Sequence, residues 1–162
     1  MDTVHSRWTL RRFLGRLGST EPAPGGGSAA ALSGALGCAL AVKVCRLVLK
    51  RKSTPAKVKP ELRRVEAELA RLTRRLEGLI REDAAAYAAL VRATRAGRLV
   101  ARARARATRS PLAICEDSVQ ALRLLTRLEP RTGRHLASDI RAARALLKAG
   151  FEGGRLMVQI NL

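Results

Sequence analysis

The chain has 162 residues, and its 32 lysines and arginines outnumber its 13 acidic residues, which gives a formal net charge of +19. The length suits one domain with a buried core. The apolar content comes from Ala, Leu and Val, with aromatic residues at only 2%, and this favours packed helices over a β-sandwich.

The cysteine pattern and the N-terminus both bear on the compartment. Cys38, Cys45 and Cys115 are odd in number and lack metal-ligand spacing, so they indicate neither a disulfide framework nor a metal site. Charged side chains recur through the first 20 residues, where a secretory signal would need an apolar segment. The sequence therefore predicts reduced thiols in a cytoplasmic protein.

The first predicted elements are two helices separated by a breaker. Residues 5–17 form a short amphipathic segment whose apolar side chains share one side: Trp8, Phe13, Leu14 and Leu17. Prolines and glycines at 21–27 cannot continue a helix, and Ser28 is a suitable N-cap for the Ala-rich helix that follows to about residue 52. This run is nearly long enough to span a membrane, but Lys43 and Arg46 interrupt it, so we expect a buried core helix and no membrane partner.

The clearest helix runs from Glu61 to Arg95. Its apolar residues recur in steps of three and four, as one face of a helix requires: Leu62, Val65, Leu69, Leu72, Leu76 and Leu79. The next step along the same stripe reaches Asp83, and one turn later Tyr87. Because an unpaired buried carboxylate is costly, Asp83 should have either a catalytic task or an arginine partner.

The C-terminal half is predicted to be helical with two interruptions. Residues 98–109, which alternate Ala and Arg strictly from Ala101 to Ala107, are interpreted as helix or loop, since no β-branched residue supports a strand after Val100. Pro111 opens a helix to about Leu128, a turn occupies 129–133, and Ser138-Asp139 caps a helix that runs to Phe151 and ends at Gly153-Gly154. The apolar tail 156–162 is either strand-like or packed across the bundle. The sequence thus predicts one all-α domain over 1–162, a bundle of about five helices.

Three features are candidates for a functional site. Asp83 is the first. The Pro-Gly-Gly-Gly-Ser step at 24–28 is the second, because glycines let a ligand approach the backbone and a helix N-terminus offers free N–H groups; a tight turn with an N-cap is the alternative. Ser138-Asp139 is the third, with simple helix capping as the alternative. The two histidines, His5 and His135, are too few and too distant in sequence to predict a metal site.

The order of these features resembles the cyclodeaminase/cyclohydrolase family of tetrahydrofolate enzymes. Residues 22–31 (PAPGGGSAAA) with 33–37 (SGALG) resemble its N-terminal signature, and residues 79–84 (LIREDA) followed by Tyr87 resemble its mid-chain Asp helix. Residues 137–140 (ASDI) are similar to its Ser-Asp motif, and 158–162 (VQINL) to its closing motif. Four landmarks in the same order cover most of the chain.

The resemblance implies a helical bundle that works as a homodimer or larger assembly, with a folate bound near the glycine-rich turn. The implied reactions are hydrolysis of 5,10-methenyltetrahydrofolate and loss of ammonia from 5-formiminotetrahydrofolate, neither of which needs a metal or a redox cofactor. Asp83 and Asp139 are the implied catalytic residues, one moving protons and the other holding the pterin. The implied substrate-binding residues are Pro24, Gly25, Gly26, Gly27, Ser28, Tyr87, Ser138 and Asn161.

Two other functions stay open from the sequence. Arg46 stands where the family often has Asn, which would suit a relative that binds folate or another anion without turnover. The arginines at 98–109 would suit the glutamate tail of a folate, or nucleic acid bound through its phosphates with steep salt dependence. Base stacking is not expected, because aromatic residues are nearly absent.

Overall fold

The computed structural model describes residues 8–162. It contains five α-helices, which are α1 (Leu10–Leu17), α2 (Gly26–Lys50), α3 (Lys59–Ala96), α4 (Val100–Leu128) and α5 (Ala137–Asn161). Single 3₁₀ turns at Ala56–Val58, Glu129–Arg131 and Arg134–Leu136 lie in the connections. No strand occurs in this part of the chain, so the predicted all-α bundle of about five helices is confirmed.

The four long helices form an up-and-down bundle. Helix α2 packs against α3 and α5, and α4 packs against the same two helices from the other side. The predicted apolar stripe of α3 is fully buried between them, from Leu62 to Leu79. Phe13 of α1 is also buried and Trp8 and Leu17 pack against the core, but Leu14 is 54% exposed and does not share their side as predicted. Residues 5–7 of that predicted segment lie outside the described residues.

Small residues let α2 and α5 approach closely. A Cβ at Gly150 would lie 3.0 Å from the backbone nitrogen of Gly34, and one at Gly37 would lie 2.8 Å from Leu147 Cγ. These helices therefore pack with their backbones nearly in contact, as small side chains permit. Helix α2 is apolar and long enough to cross a membrane by length and composition alone, but half of its most apolar window is buried in the bundle, which fits the predicted core helix.

Four predicted boundaries are wrong. Ser28 is not an N-cap, because α2 begins at Gly26 with Gly25 as its N-cap. Neither Ser138 nor Asp139 caps α5, whose N-cap is Leu136 without a side-chain hydrogen bond. Pro111 does not open a helix, because α4 is continuous from Val100 and contains Pro111, so the helical alternative for 98–109 holds from Val100 onward.

The fourth correction concerns the C-terminus. Helix α5 does not end at Gly153-Gly154 but continues to Asn161, so the tail is neither strand-like nor a separate packed segment. The two glycines lie at helix contacts, where a Cβ at Gly153 would be 2.8 Å from Ala30 Cβ and one at Gly154 would be 2.9 Å from Cys115 Sγ. Packing against α2 and α4 therefore outweighs the low helix propensity of glycine.

The antiparallel order brings four chain segments to one end of the bundle. They are the start of α2, the Asp83 region of α3, the Ala107 region of α4 and the end of α5. Beyond this end α3 and α4 continue as a helical hairpin, and none of the residues 87–106 is buried. We call this segment the α3–α4 projection.

Candidate active site

A cavity of about 240 Å³ lies at the end of the bundle where these segments meet. Its lining is mostly apolar, and Asp83 is the one ionisable carboxylate in it. The lining residues come from the glycine-rich turn (Pro22, Ala23, Gly25, Gly26, Gly27), from α3 (Asp83, Ala84, Tyr87), from α4 (Ala107) and from α5 (Met157, Ile160, Asn161). A concave, apolar site with a few polar groups is the usual form of a small-molecule site.

The Asp83 side chain is held at the N-terminus of α2. Asp83 is only 9% exposed, and its Oδ2 lies 3.1 Å from Ser28 Oγ. The backbone N–H of Ser28 also hydrogen-bonds to this carboxylate. The first N–H groups of a helix lack partners within the helix, so the carboxylate of α3 satisfies one of them from across the bundle.

Burial raises the pKa of Asp83, and the hydrogen bonds from the hydroxyl and the N–H of Ser28 oppose that rise. No Lys or Arg of residues 8–162 forms an ion pair with Asp83. The arginine partner considered as the alternative is thus not found. A carboxyl group with a raised pKa in a cleft is suited to proton transfer near neutrality.

The hydrogen bonds of Ser28 accommodate both protonation states of Asp83. Ser28 Oγ lies 3.1 Å from Asp83 Oδ2 and 3.1 Å from the carbonyl oxygen of Ile80. A hydroxyl carries one proton and two acceptor lone pairs, whereas a carbonyl only accepts. Ionised Asp83 accepts the Ser28 proton; protonated Asp83 donates to Ser28, which then donates to Ile80.

The glycine-rich turn makes room for this carboxylate. A Cβ at Gly27 would lie 2.5 Å from Asp83 Cγ and 2.6 Å from Oδ2, and one at Gly26 would lie 3.1 Å from Met157 Sδ. Gly27 therefore leaves the space that the Asp83 carboxylate occupies, and Gly26 is in tight contact with the end of the Met157 side chain. The turn serves the site through close approach of its backbone.

Asn161 forms part of the cavity wall and hydrogen-bonds to a carbonyl group of α4 that has no partner within its own helix. Pro111 has no N–H, so the carbonyl oxygen of Ala107, four residues earlier, loses its helical hydrogen bond. Asn161 Nδ2 donates to that oxygen at 3.1 Å. This bond joins the last turn of α5 to α4 and fixes the Asn161 amide at the cavity wall.

The structure brings most of the predicted site residues together. Gly25, Gly26, Gly27, Asp83, Tyr87 and Asn161 all line the cavity. Ser28 is fully buried behind Asp83 and positions it rather than facing the cavity. Pro24 is buried beside the turn and is not part of the lining. Tyr87 is 44% exposed and forms the rim.

Ser138 and Asp139 lie elsewhere. They are in the first turn of α5, and about 33 Å of helix separates Asp139 from Asn161 at ~1.5 Å per residue. Asp139 Oδ2 forms an ion pair with Lys43 Nζ at 2.9 Å, and Ser138 is exposed. Within one chain, therefore, Asp83 and Asp139 do not share a site, and Asp139 is an acidic residue in the first turn of α5 that does not cap it.

Sequence reasoning missed a second buried carboxylate and part of the cavity wall. Asp117 of α4 is 1% exposed and pairs with Arg75 Nε at 3.1 Å. It follows Ile114 by three residues and precedes Ala121 by four, so it interrupts an apolar stripe as Asp83 does, and the same test would have found it. The sequence did not predict Met157 and Ile160 as cavity residues, because residues 156–162 were not predicted to be helical.

No group of three or more His, Cys, Asp or Glu side chains in residues 8–162 is arranged to hold a metal ion. His135 contacts Arg51 through its Nε2, 2.6 Å from the guanidinium nitrogen, and His5 lies outside the described residues. All three cysteines are free thiols.

Comparison with known proteins agrees with this geometry. Residues 9–162 match the sequence profile of the family described as formiminotransferase-cyclodeaminase. The chain is 32% identical to methenyltetrahydrofolate cyclohydrolase of Methylorubrum extorquens, in an alignment that covers 94% of this chain and 78% of that protein. It is 30% identical to formimidoyltransferase-cyclodeaminase of Rattus norvegicus over 95% of this chain, which spans only 30% of the rat protein.

The fold is shared as well. The crystal structure of formiminotetrahydrofolate cyclodeaminase from Thermotoga maritima superposes with a TM-score of 0.90 at 27% sequence identity. The match covers 96% of this chain and 78% of that one.

Proposed function

Because the chain belongs to the formiminotransferase-cyclodeaminase family, we propose that it is a tetrahydrofolate one-carbon enzyme whose active site is the Asp83 cavity. It hydrolyses 5,10-methenyltetrahydrofolate or releases ammonia from 5-formiminotetrahydrofolate. The observation that carries this proposal is the single buried carboxylate, free of any basic partner among the described residues, at the floor of an apolar cavity. The 32% identity to a cyclohydrolase over 78% of that protein favours hydrolysis.

Asp83 is proposed to act as the proton carrier. In the hydrolysis, ionised Asp83 accepts a proton from water as the water oxygen adds to the bridging carbon. The protonated carboxyl group then donates to the ring nitrogen whose bond to that carbon breaks. As this bond breaks, the hydroxyl group on the carbon releases its proton to solvent and becomes the C=O of a formyl group on the other nitrogen. In the deamination, it would protonate the departing amine instead. A positioned acid/base group of this kind contributes about 10²–10⁴-fold to a rate.

Ser28 supports both halves of the cycle. When Asp83 is ionised, the Ser28 hydroxyl and N–H stabilise the charge. When Asp83 is protonated, the hydroxyl accepts from it and donates to the Ile80 carbonyl, so no buried polar group is stranded. The carboxyl group can therefore change protonation state without a rearrangement of the bundle.

The cavity fits the ring end of a folate. Its volume of about 240 Å³ lies below the range of roughly 300–1,000 Å³ for pockets that enclose a whole drug-sized ligand. We propose that Tyr87, Met157 and Ile160 contact the pterin and that the Asn161 amide offers its remaining hydrogen-bonding groups to the ring. The amides of Gly25 to Gly27 are proposed to face the reacting one-carbon unit.

The chain is also proposed to act as a homodimer in the cytoplasm. Leu36 is 50% and Leu47 39% exposed on the outer face of α2, with Leu32 and Leu40 half-buried on the same helix. An apolar face of this kind suits contact with a second copy. Sedimentation at several concentrations tests this: Leu36→Glu should shift the mass toward the monomer, and a monomeric wild type would contradict it.

The reaction is proposed to need no metal or redox cofactor, because both conversions consist of proton transfer, addition and elimination. Treatment with a chelator followed by desalting should leave the turnover rate unchanged. Loss of activity that returns with one added metal ion would refute this point and leave the site assignment untouched.

The decisive experiment follows the near-ultraviolet absorbance of 5,10-methenyltetrahydrofolate against its decay in buffer alone. The wild type should accelerate the decay, Asp83→Asn should lose at least about 100-fold of that acceleration, and Asp139→Asn should retain it within about twofold. No acceleration by the wild type, with 5-formiminotetrahydrofolate also unreacted, would overturn the enzymatic function. Loss in Asp139→Asn with the fold intact would overturn the single-chain site.

A further inference from the structure

The α3–α4 projection and the first turns after it carry positive charge without compensation. From Ala84 to Cys115 the sequence contains no Asp or Glu and seven arginines. These are Arg92, Arg95, Arg98, Arg102, Arg104, Arg106 and Arg109. None of the seven forms an ion pair with a residue of 8–162, so their charges remain available to a partner.

Arginines on the body of the bundle behave differently. Many of them are paired with carboxylates on a neighbouring helix or one turn away: Arg46 with Glu66, Arg71 with Glu68, Arg75 with Asp117, Arg131 with Glu61, Arg144 with Glu129 and Arg155 with Glu152. The body of the bundle thus holds every Asp and Glu of residues 8–162, whereas residues 84–115 hold none. A general excess of arginine, spread over solvated faces, does not produce such a separation.

Five of the seven unpaired arginines line a groove between α3 and α4. The groove has a volume of about 800 Å³ and is lined on α3 by Ala89, Arg92 and Ala93, in the turn between the helices by Arg98 and Leu99, and on α4 by Arg102, Ala103, Ala105, Arg106 and Arg109. Along α4, Arg102, Arg106 and Arg109 follow the helical repeat and form a ladder about 10 Å long, and Arg98 precedes it in the turn between the helices. Alanines form the floor, so the backbone of a ligand can lie close to both helices.

This groove faces away from the Asp83 cavity. Arg92 comes nine residues after Asp83, which is about 180° around α3 at ~100° per residue. Arg102 comes five residues before Ala107 and is about 140° around α4 from it. The two cavities share no lining residue. The tail of a folate held at Asp83 would have to wrap around the projection to reach these arginines.

We propose that the groove binds the sugar-phosphate backbone of a nucleic acid duplex, independently of the folate reaction. A ladder of about 10 Å matches roughly three phosphates of one strand, at ~3.4 Å of duplex axis per nucleotide. No aromatic side chain lines the groove, so the contacts are to phosphates and carry no base sequence. A membrane surface fits less well, because interfacial helices need a broad apolar face and the floor here is alanine.

The test is fluorescence anisotropy with a labelled DNA duplex of about 20 base pairs and mixed sequence, titrated at several salt concentrations. The projection variant carries Arg98→Gln, Arg102→Gln and Arg106→Gln. A matched control carries Arg63→Gln, Arg64→Gln and Arg141→Gln, which removes the same charge from exposed arginines of the body. Both variants should keep the wild-type circular dichroism spectrum and Tm, which shows that they are folded, and the wild-type methenyltetrahydrofolate turnover.

The projection variant should bind the duplex at least tenfold more weakly, and its slope of log K against log salt should shrink by about 2–3. The control should stay within about threefold of the wild type. Equal losses in both variants, or no binding by the wild type at low salt, would overturn the proposal. So would a projection variant that loses affinity only for phosphatidylserine vesicles, or only raises KM for a polyglutamyl over a monoglutamyl substrate.

Discussion

The carboxyl group of Asp83 lies against the Cα of Gly27, so closely that a Cβ there would sit 2.5 Å from Asp83 Cγ. The N–H and hydroxyl of Ser28, the next residue, hold the same carboxyl group. The first turn of α2 therefore fixes one carboxyl group of α3 by two opposite means: the absence of a side chain and the presence of hydrogen-bond donors. This contact explains why glycine followed by serine stands at this turn.

Gly27→Ala should displace the Asp83 carboxyl group from its position in the cavity. We expect turnover to fall by at least about 100-fold, comparable to the loss of a general acid/base group, and stability to fall by about 1–3 kcal/mol from overpacking. Turnover and urea unfolding measure the two effects.

Gly78→Ala is the matched control, since the same substitution on α3 meets only Glu82 Oε1 at 3.9 Å. It should raise stability by about 0.4–1 kcal/mol and leave turnover unchanged. A Gly27→Ala enzyme with wild-type turnover would show that the position of Asp83 does not limit the reaction.

The pH profile should report the hydrogen bond from Ser28 to Asp83. If Asp83 acts as the base, kcat/KM declines as the pH falls through its raised pKa. The Ser28 hydroxyl opposes the rise of that pKa, so Ser28→Ala should move the acidic limb to higher pH. At one pH on that limb, kcat/KM should be about tenfold lower, from the loss of a hydrogen bond to a charged group.

Ser118→Ala provides the control for that experiment. Ser118 is also fully buried, but its Oγ has no hydrogen-bond partner among the described residues, so its removal should leave the limb in place. If the acidic limb of the kcat/KM profile shifts equally in Ser28→Ala and Ser118→Ala, the shift results from altered packing and not from the hydrogen bond to Asp83.

The buried Asp83 carboxylate should also lower the free energy of unfolding at neutral pH. Its pKa is higher in the folded chain than the ordinary value of 3.8 because burial disfavours the charge. The folded state therefore binds the proton more tightly, and stability falls as the pH rises from about 3.8 through the raised pKa. At neutral pH the ionised group carries its full cost.

Asp83→Asn should accordingly raise Tm at pH 7 by about 2–4 °C per kcal/mol of relieved desolvation, and this gain should vanish near pH 4. Differential scanning fluorimetry across this range measures it. Asp139→Asn, which removes an exposed ion pair, should change Tm little at either pH. A lower Tm for Asp83→Asn at neutral pH would mean that the Ser28 bonds outweigh the burial of the charge.

Periodicity predicted the helices that bury one continuous apolar face. The stripe of α3 from Leu62 to Leu79 is buried as expected, and its interruption pointed to Asp83. The same reasoning fails where a residue acts through a contact that is distant in sequence. Gly153 and Gly154 read locally as a helix end, whereas they lie within α5 because α2 and α4 come too close for larger residues.

The site shows the same division. The glycine-rich turn and Asp83 could be paired in advance only through the resemblance, since 55 residues separate Ser28 from Asp83. Pro111 looked like a helix start because its effect on the Ala107 carbonyl oxygen is repaired by Asn161 from another helix. Asp139 looked equivalent to Asp83 because sequence does not record that they lie at opposite ends of the bundle.

Arg75 and Asp117 form the pair whose disruption should cost most outside the active site. Burial raises the pKa of Asp117, while the guanidinium of Arg75 and, more weakly, that of Arg71 lower it. Arg75→Gln leaves a carboxylate that is 1% exposed without its nearest cation. We expect Arg75→Gln to lower the free energy of unfolding by about 1–3 kcal/mol. This is less than for a fully buried pair, because the Arg75 side chain is 46% exposed.

The double-mutant cycle separates the stranded charge from lost packing. In the Asp117→Asn background Arg75→Gln should cost less than about 0.5 kcal/mol, because no buried charge remains to be stranded. Urea unfolding of the four proteins at pH 7 gives the coupling energy. Equal costs of Arg75→Gln in both backgrounds would show that the arginine stabilises α3 through its aliphatic stem and not through Asp117.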